Sequence, residues 1–165
     1  MRFVVAKTGT LVVAALSVAP SFAHALEAYP RLMIWSPELW REATVFNAQF
    51  LLFAVVGAPI DVLAILVPAG LTFALRGRQP QFALALAATL AFTLGLAIWF
   101  AIVSAANSVL ATWTPGPVSA DFEAIRRQWE FGHLTIAGVK LAGFVLLAVA
   151  CSWPERREAM SDRSR

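Results

Sequence analysis

The chain contains two histidines, and each has a glutamate three residues away: His24-Ala25-Leu26-Glu27 and Glu130-Phe131-Gly132-His133. Residues at i and i+3 share one face of a helix. The order is reversed between the two pairs, so on antiparallel helices both carboxylates fall at one depth and both imidazoles one turn deeper. Imidazole and carboxylate together suit iron, manganese, zinc or copper, and helix bundles build metal centres from Glu-x-x-His pairs. His24, Glu27, Glu130 and His133 are therefore a candidate metal set. His24 and His133 are also candidate axial ligands of a haem held between two helices. Without a metal the same groups are a candidate acid/base or substrate-binding set. The bland alternative makes them ordinary polar residues at a membrane interface.

The composition says what must position them. Of 165 residues, 59% are hydrophobic and 14% charged, whereas a soluble domain is roughly a quarter charged. This is a membrane composition, and it excludes a soluble enzyme or a disordered tail. The single cysteine, Cys151, excludes a relay of paired thiols. The net charge of +3 is no sign of nucleic-acid binding, because the arginines sit at the ends of apolar runs, where they set orientation.

A spanning helix needs about 20 mostly apolar residues. Four segments qualify, near 3–28, 46–75, 82–111 and 131–153. The expected fold is all-α: an integral membrane four-helix bundle forming a single domain over 1–165, with a short basic tail at 154–165. The Gly57-Ala58-Pro59 sequence predicts a break or kink in the second segment. Arg2, Lys7, Arg76, Arg78, Arg156, Arg157, Arg163 and Arg165 fall on one side, and Arg31, Arg41, Arg126 and Arg127 on the other. The positive-inside bias then makes both termini cytoplasmic. Two outer loops, 29–44 and 112–128, carry Trp35, Trp40 and Trp113, which either anchor the loops in the headgroups, the preferred reading, or form a lid over the site, with Trp129 just beyond. The lipid bilayer is the first partner. Small residues at Ala85, Ala87, Ala88 and Gly95 permit close packing within the bundle or between copies in a homo-oligomer. The first segment also reads as a secretory signal peptide with Ala23-His24-Ala25 as its cleavage site, which would discard His24.

Ionisable groups inside a bilayer are functional candidates by default. Lys140 lies ten residues inside Glu130, about 15 Å along the fourth helix, and Asp61 is comparably deep in the second. An Asp61–Lys140 ion pair is the cheapest way to hold both; it serves as a structural link or as a relay for protons. Asn107, late in the third helix, joins helices, the preferred reading, or orients a substrate oxygen, or serves as a ligand. Arg126 and Arg127 are each within one helical turn of Glu130, so either is placed to pair with it, with a solvated loop charge as the default for both.

The stretch Ala23-His24-Ala25-Leu26-Glu27 followed by Pro30, the late Asn107, and Arg127-Gln128-Trp129-Glu130-Phe131-Gly132-His133 resemble the anthrone-oxygenase-like family of small four-helix membrane proteins. The resemblance spans most of the chain through short motifs. It implies that the first helix is kept, and that His24, Glu27, Asn107, Trp129, Glu130 and His133 occupy the family's motif positions. It further implies oxygenation of a lipophilic polycyclic phenol. Relatives often carry a proline shortly before the asparagine, where this chain reads Ala105-Ala106-Asn107.

Two functional classes follow. One is a membrane oxidoreductase or oxygenase acting on a lipophilic phenol- or quinol-like substrate at the outer leaflet, with Asp61 and Lys140 relaying protons. The other is a non-enzymatic accessory or transport protein whose polar residues hold four helices together.

Overall fold

Thr10, Ala14, Ser17, Ser21, His24, Ala28 and Arg31 recur at alternating steps of four and three, the period of a helix seam. In a computed structural model, which describes residues 2–47 and 50–154, all seven form the buried face of helix α1 (Arg2–Met33). The partner seam is on α6 (Phe122–Ser152), where Phe122, Arg126, Trp129, His133, Ile136, Lys140, Gly143, Leu147 and Ala150 follow the same steps. All of these are buried except the half-buried His133. The two helices run antiparallel and meet along these faces.

Between them in sequence come α2 (Pro37–Arg41), a π-turn at Glu42–Phe46, α3 (Leu51–Ala74), α4 (Gln81–Ile98), a second π-turn at Trp99–Val103 and α5 (Ser104–Leu110). Helix α1 packs on α6 and α3, and α4 packs on α3 and α6, which closes a four-membered ring. Among the described residues there is no strand. Four stretches, Phe3–Met33, Leu51–Ala74, Gln81–Leu110 and Phe122–Ser152, are long and apolar enough to cross a membrane. Large apolar side chains such as Leu52, Leu66, Phe73, Leu90 and Phe100 cover the outside of the bundle, consistent with contact to lipid.

The expected boundaries shift at one end. Helix α1 continues past 28 to Met33, and α6 begins at Phe122 instead of 131. Much of what was assigned to outer loops, 29–44 and 112–128, is therefore helical. The reason is that polarity does not stop a helix while one face is still being buried, and the two seams run on through Arg31 and Arg126. Pro30 falls in the last turn, where its carbonyl accepts from the N–H groups of Ile34 and Trp35 and closes the helix. Helix α3 runs on through Gly57-Ala58-Pro59 and through Pro68 without ending. Prolines are tolerated in apolar helices where neighbours re-satisfy the freed groups. Separately, the Thr72 hydroxyl donates to the Pro68 carbonyl at 2.8 Å and lies 3.2 Å from the hydroxyl of Thr89, which ties α3 to α4. Apart from Pro154, the basic tail expected at 154–165 lies outside the described residues.

Small residues let α4 approach α6. A Cβ on Gly143 would lie 3.0 Å from Ala91 Cβ, and one on Gly95 would lie 3.3 Å from Lys140 Cγ. Ala85, Ala88 and Gly95 are buried, whereas Ala87 faces outward. The π-turn at Trp99–Val103 rests on Gly132, where an added Cβ would lie 2.8 Å from Val103 Cγ2. The glycine in the Glu-Phe-Gly-His sequence is thus a packing requirement.

Candidate functional site

The seams bring the two histidines into contact. The His24 and His133 rings stack with centroids 4.3 Å apart and planes 15° from parallel. Phe50, at the lead-in to α3, and Phe53 on α3 pack on His24 at 4.8 and 4.7 Å. Trp129 packs on His133 at 4.4 Å and on His24 at 5.4 Å. His24 is only 5% exposed. Among the described residues its Nδ1 is buried without a hydrogen-bond partner, a costly state for a polar atom and one that calls for an explanation.

The carboxylates take a different course. Arg31 is fully buried beside Glu130, which is fully buried as well. Its Nε donates to Glu130 Oε1 at 2.7 Å and its Nη2 to Oε2 at 2.9 Å, the two-pronged arrangement that suits a guanidinium. Its Nη1 donates to Glu27 Oε2 at 2.8 Å and its Nη2 also to the His24 carbonyl at 2.9 Å. The Trp40 indole completes the shell by donating to Glu130 Oε1 at 2.8 Å. The guanidinium lies over the rings of Phe50 and Trp129, at 5.2 and 5.6 Å. Every oxygen and nitrogen at the centre of this cluster is engaged, as a buried ion pair requires.

This arrangement decides how well a metal or haem fits. His24, Glu27, Glu130 and His133 do not close on one point, because Arg31 lies between the carboxylates and draws both to itself. Among the described residues no three His, Cys, Asp or Glu side chains form a group able to hold a metal ion. Two axial imidazoles must approach a haem iron end-on from opposite faces. Rings stacked face to face at 4.3 Å leave no space for the macrocycle. As they stand, the residues fit neither group.

A turn or two deeper lies a second cluster. Lys140 Nζ donates to both oxygens of Asp61, at 2.7 and 2.8 Å, as the sequence predicts. It also donates to Ser21 Oγ at 3.1 Å, and Ser17 Oγ donates to Asp61 Oδ1 at 2.7 Å. Asn107 is half-buried and joins helices: its Oδ1 accepts from Trp129 Nε1 at 2.9 Å. The π-turn sets the phase of α5 so that Ala106 and Leu110 are buried, and the Ile102 carbonyl within that turn accepts from the Gln128 amide at 3.0 Å.

Three expectations are corrected. Arg126, expected by default as a solvated loop charge, is buried, and neither it nor Arg127 pairs with Glu130. Arg126 donates to Glu123 at 2.9 Å and reaches the α1 end, bonding the carbonyls of Arg31, Leu32 and Trp35 at 3.3 to 3.4 Å. A cation is favoured at that helix C-terminus. Arg127 is exposed. Arg31, expected as an outer-loop orientation marker, is the hub of the buried network. Trp40, expected as a headgroup anchor, is fully buried and edge-on to Trp129 and Phe122 at 5.7 and 5.6 Å.

Sequence reasoning missed Arg31, Trp40, Ser17 and Ser21. A signal existed for three of them. Ser17, Ser21, His24 and Arg31 lie on one seven-residue repeat, and Arg31 is four residues beyond Glu27. No local signal marks Trp40, which reaches Glu130 only through the fold. In comparisons with protein-family models, curated proteins and solved structures, nothing matches this chain.

Proposed function

We propose that the chain is a multi-pass membrane protein with both termini cytoplasmic and that His24 and His133, near the outer leaflet, bind and oxidise a lipophilic phenol- or quinol-like molecule. The observation that carries this reading is the buried Nδ1 of His24, unpartnered among the described residues, inside a wall of Phe50, Phe53, Trp129 and the stacked His133 ring. A neutral imidazole nitrogen accepts a hydrogen bond from a hydroxyl, and the rings around it suit a flat aromatic body. His24 takes the hydroxyl proton, and the electron-rich oxyanion of a quinol passes two electrons to dioxygen, which takes up both hydroxyl protons and leaves as hydrogen peroxide while the substrate leaves as the quinone. Arg31 fixes the helix turn that carries His24 by bonding its carbonyl. Entry requires the ring of Phe50 or Phe53 to swing aside, a side-chain change common on binding. The resemblance to the anthrone-oxygenase-like family supports the same substrate class and the retention of α1, whose seam loses its histidine if the chain is cut after Ala25.

The test uses the full chain in mild detergent with a hydroxynaphthalene and a short-chain quinol. Saturable quenching of tryptophan fluorescence and ligand-dependent oxygen uptake are expected, with both lost in His24→Phe. A folded wild type that neither binds nor consumes oxygen refutes the reading.

A second reading rests on a specific observation. The ions of both clusters have their partners within the bundle, with Arg31 on Glu130 and Lys140 on Asp61. That favours a non-enzymatic accessory or transport protein held together by its polar residues. Under it His24→Phe leaves every activity unchanged and raises stability, because an unsatisfied polar atom is removed.

A further inference from the structure

Trp129 touches both histidines edge-on, with ring centroids 4.4 Å from His133 and 5.4 Å from His24, and it packs on Phe50 at 5.5 Å. An indole has a single polar atom, and that atom only donates. Here it is committed: Trp129 Nε1 donates to Asn107 Oδ1 at 2.9 Å. Asn107 belongs to α5, which packs on α6 and on the π-turn at Trp99–Val103. Phe50 and Phe53 belong to a different part of the bundle, where α3 packs on α1 and α4. The wall around His24 thus has two parts with separate supports.

We propose that Asn107 is a positioning residue for the oxidation described above, a role that rests on that reading. Its side-chain oxygen holds the Trp129 indole edge-on to the imidazoles, so that the flat substrate meets a fixed wall beside His24. When Phe50 swings aside to admit the substrate, Trp129 loses a packing neighbour. Its hydrogen bond is anchored on an element that carries neither phenylalanine, and it survives that motion. The bond is made whether or not the hydroxyl proton has moved, so its loss weakens binding and leaves the chemical step unchanged.

The test is steady-state oxygen uptake by the full chain in mild detergent with a short-chain quinol, for wild type, Asn107→Leu, Trp129→Phe and the double variant, below the unfolding midpoint of each. Asn107→Leu is expected to raise KM about five-fold at unchanged kcat, the equivalent of one ordinary hydrogen bond. Asn107→Gln keeps an amide oxygen and recovers part of the loss. In the Trp129→Phe background no indole N–H is left to hold, and adding Asn107→Leu leaves KM where it stood. Asn107→Ser, too short to reach the indole, carries the same expectation if Asn107→Leu does not fold. An unchanged KM, a fall in kcat at constant KM, or an equal rise in KM in the Trp129→Phe background overturns the role of Asn107 while the oxidation stands. A folded wild type that consumes no oxygen with the quinol overturns both.

Discussion

Replacing Arg31 by methionine separates a paired buried charge from an unpaired one. In the wild type both members of the Arg31–Glu130 pair are fully buried, and among the described residues Glu130 has only the Trp40 indole as its other donor. Arg31→Met therefore leaves an uncompensated carboxylate, a change that costs about 3 to 5 kcal/mol in buried pairs. Glu130→Leu is the milder lesion, because Arg31 keeps Glu27 and the His24 carbonyl as acceptors; about 1 to 3 kcal/mol is expected, the cost of lost bonds to a charged group. The Glu27 link contributes little by itself, since its side chain is 49% exposed and solvent screens it. With both changes made, no unpaired charge is left at this layer of the bundle, and only the Trp40 indole loses its acceptor. The double variant should lie within about 1 kcal/mol of wild type, as when whole buried pairs are exchanged for hydrocarbon. Equilibrium unfolding in mixed micelles of wild type, both single variants and the double variant gives the coupling energy directly. Additive losses, or an Arg31→Met cost below about 1 kcal/mol, refute the argument that this pair is a closed unit shielded from water.

Other expectations follow from the packing and the second cluster. Gly132→Ala drives a Cβ to 2.8 Å from Val103 Cγ2. It should cost about 1 to 3 kcal/mol through overpacking, offset by up to about 1 kcal/mol of helix propensity; Val103→Ala in the same chain should restore the wild-type unfolding midpoint. Asn107→Leu removes the acceptor of the Trp129 indole and should lose about 1 kcal/mol, with a shift in tryptophan emission that Asn107→Gln reverses in part. Asp61→Asn removes the charge facing Lys140 and should lower stability more than Asp61→Asn combined with Lys140→Met, a ranking that the same micelle titration reads.

The four apolar helices and the buried Asp61–Lys140 pair were legible because each rests on one strong local fact: long hydrophobic runs and charges far inside them. The meeting of His24 and His133 was legible too, since reversed i,i+3 pairs on antiparallel helices leave few alternatives. Arg31 was misjudged for a physical reason. Charge bias treats a terminal arginine as a solvated marker, yet this one extends the α1 seam by a full heptad from His24. The pairing of Glu130 turned on that same residue, because a guanidinium between two carboxylates removes both from the imidazoles. Trp40 and the π-turn at Trp99–Val103 carry no local signal at all, since both are set by what α6 presents to them.

The distance in sequence between Arg31 and Glu130, 99 residues, bears on how such a chain is made. Helix α1 emerges from synthesis first, and the acceptor for its guanidinium emerges with the last helix. During that interval Arg31 has one resident companion, Glu27, four residues earlier on the same helix. The i,i+4 pair can accompany α1 from the start, and the arrival of α6 adds a buried carboxylate to the half-exposed one. Closure of the bundle then becomes a late, cooperative event, and a chain truncated before Phe122 should be recognised as unfinished and degraded.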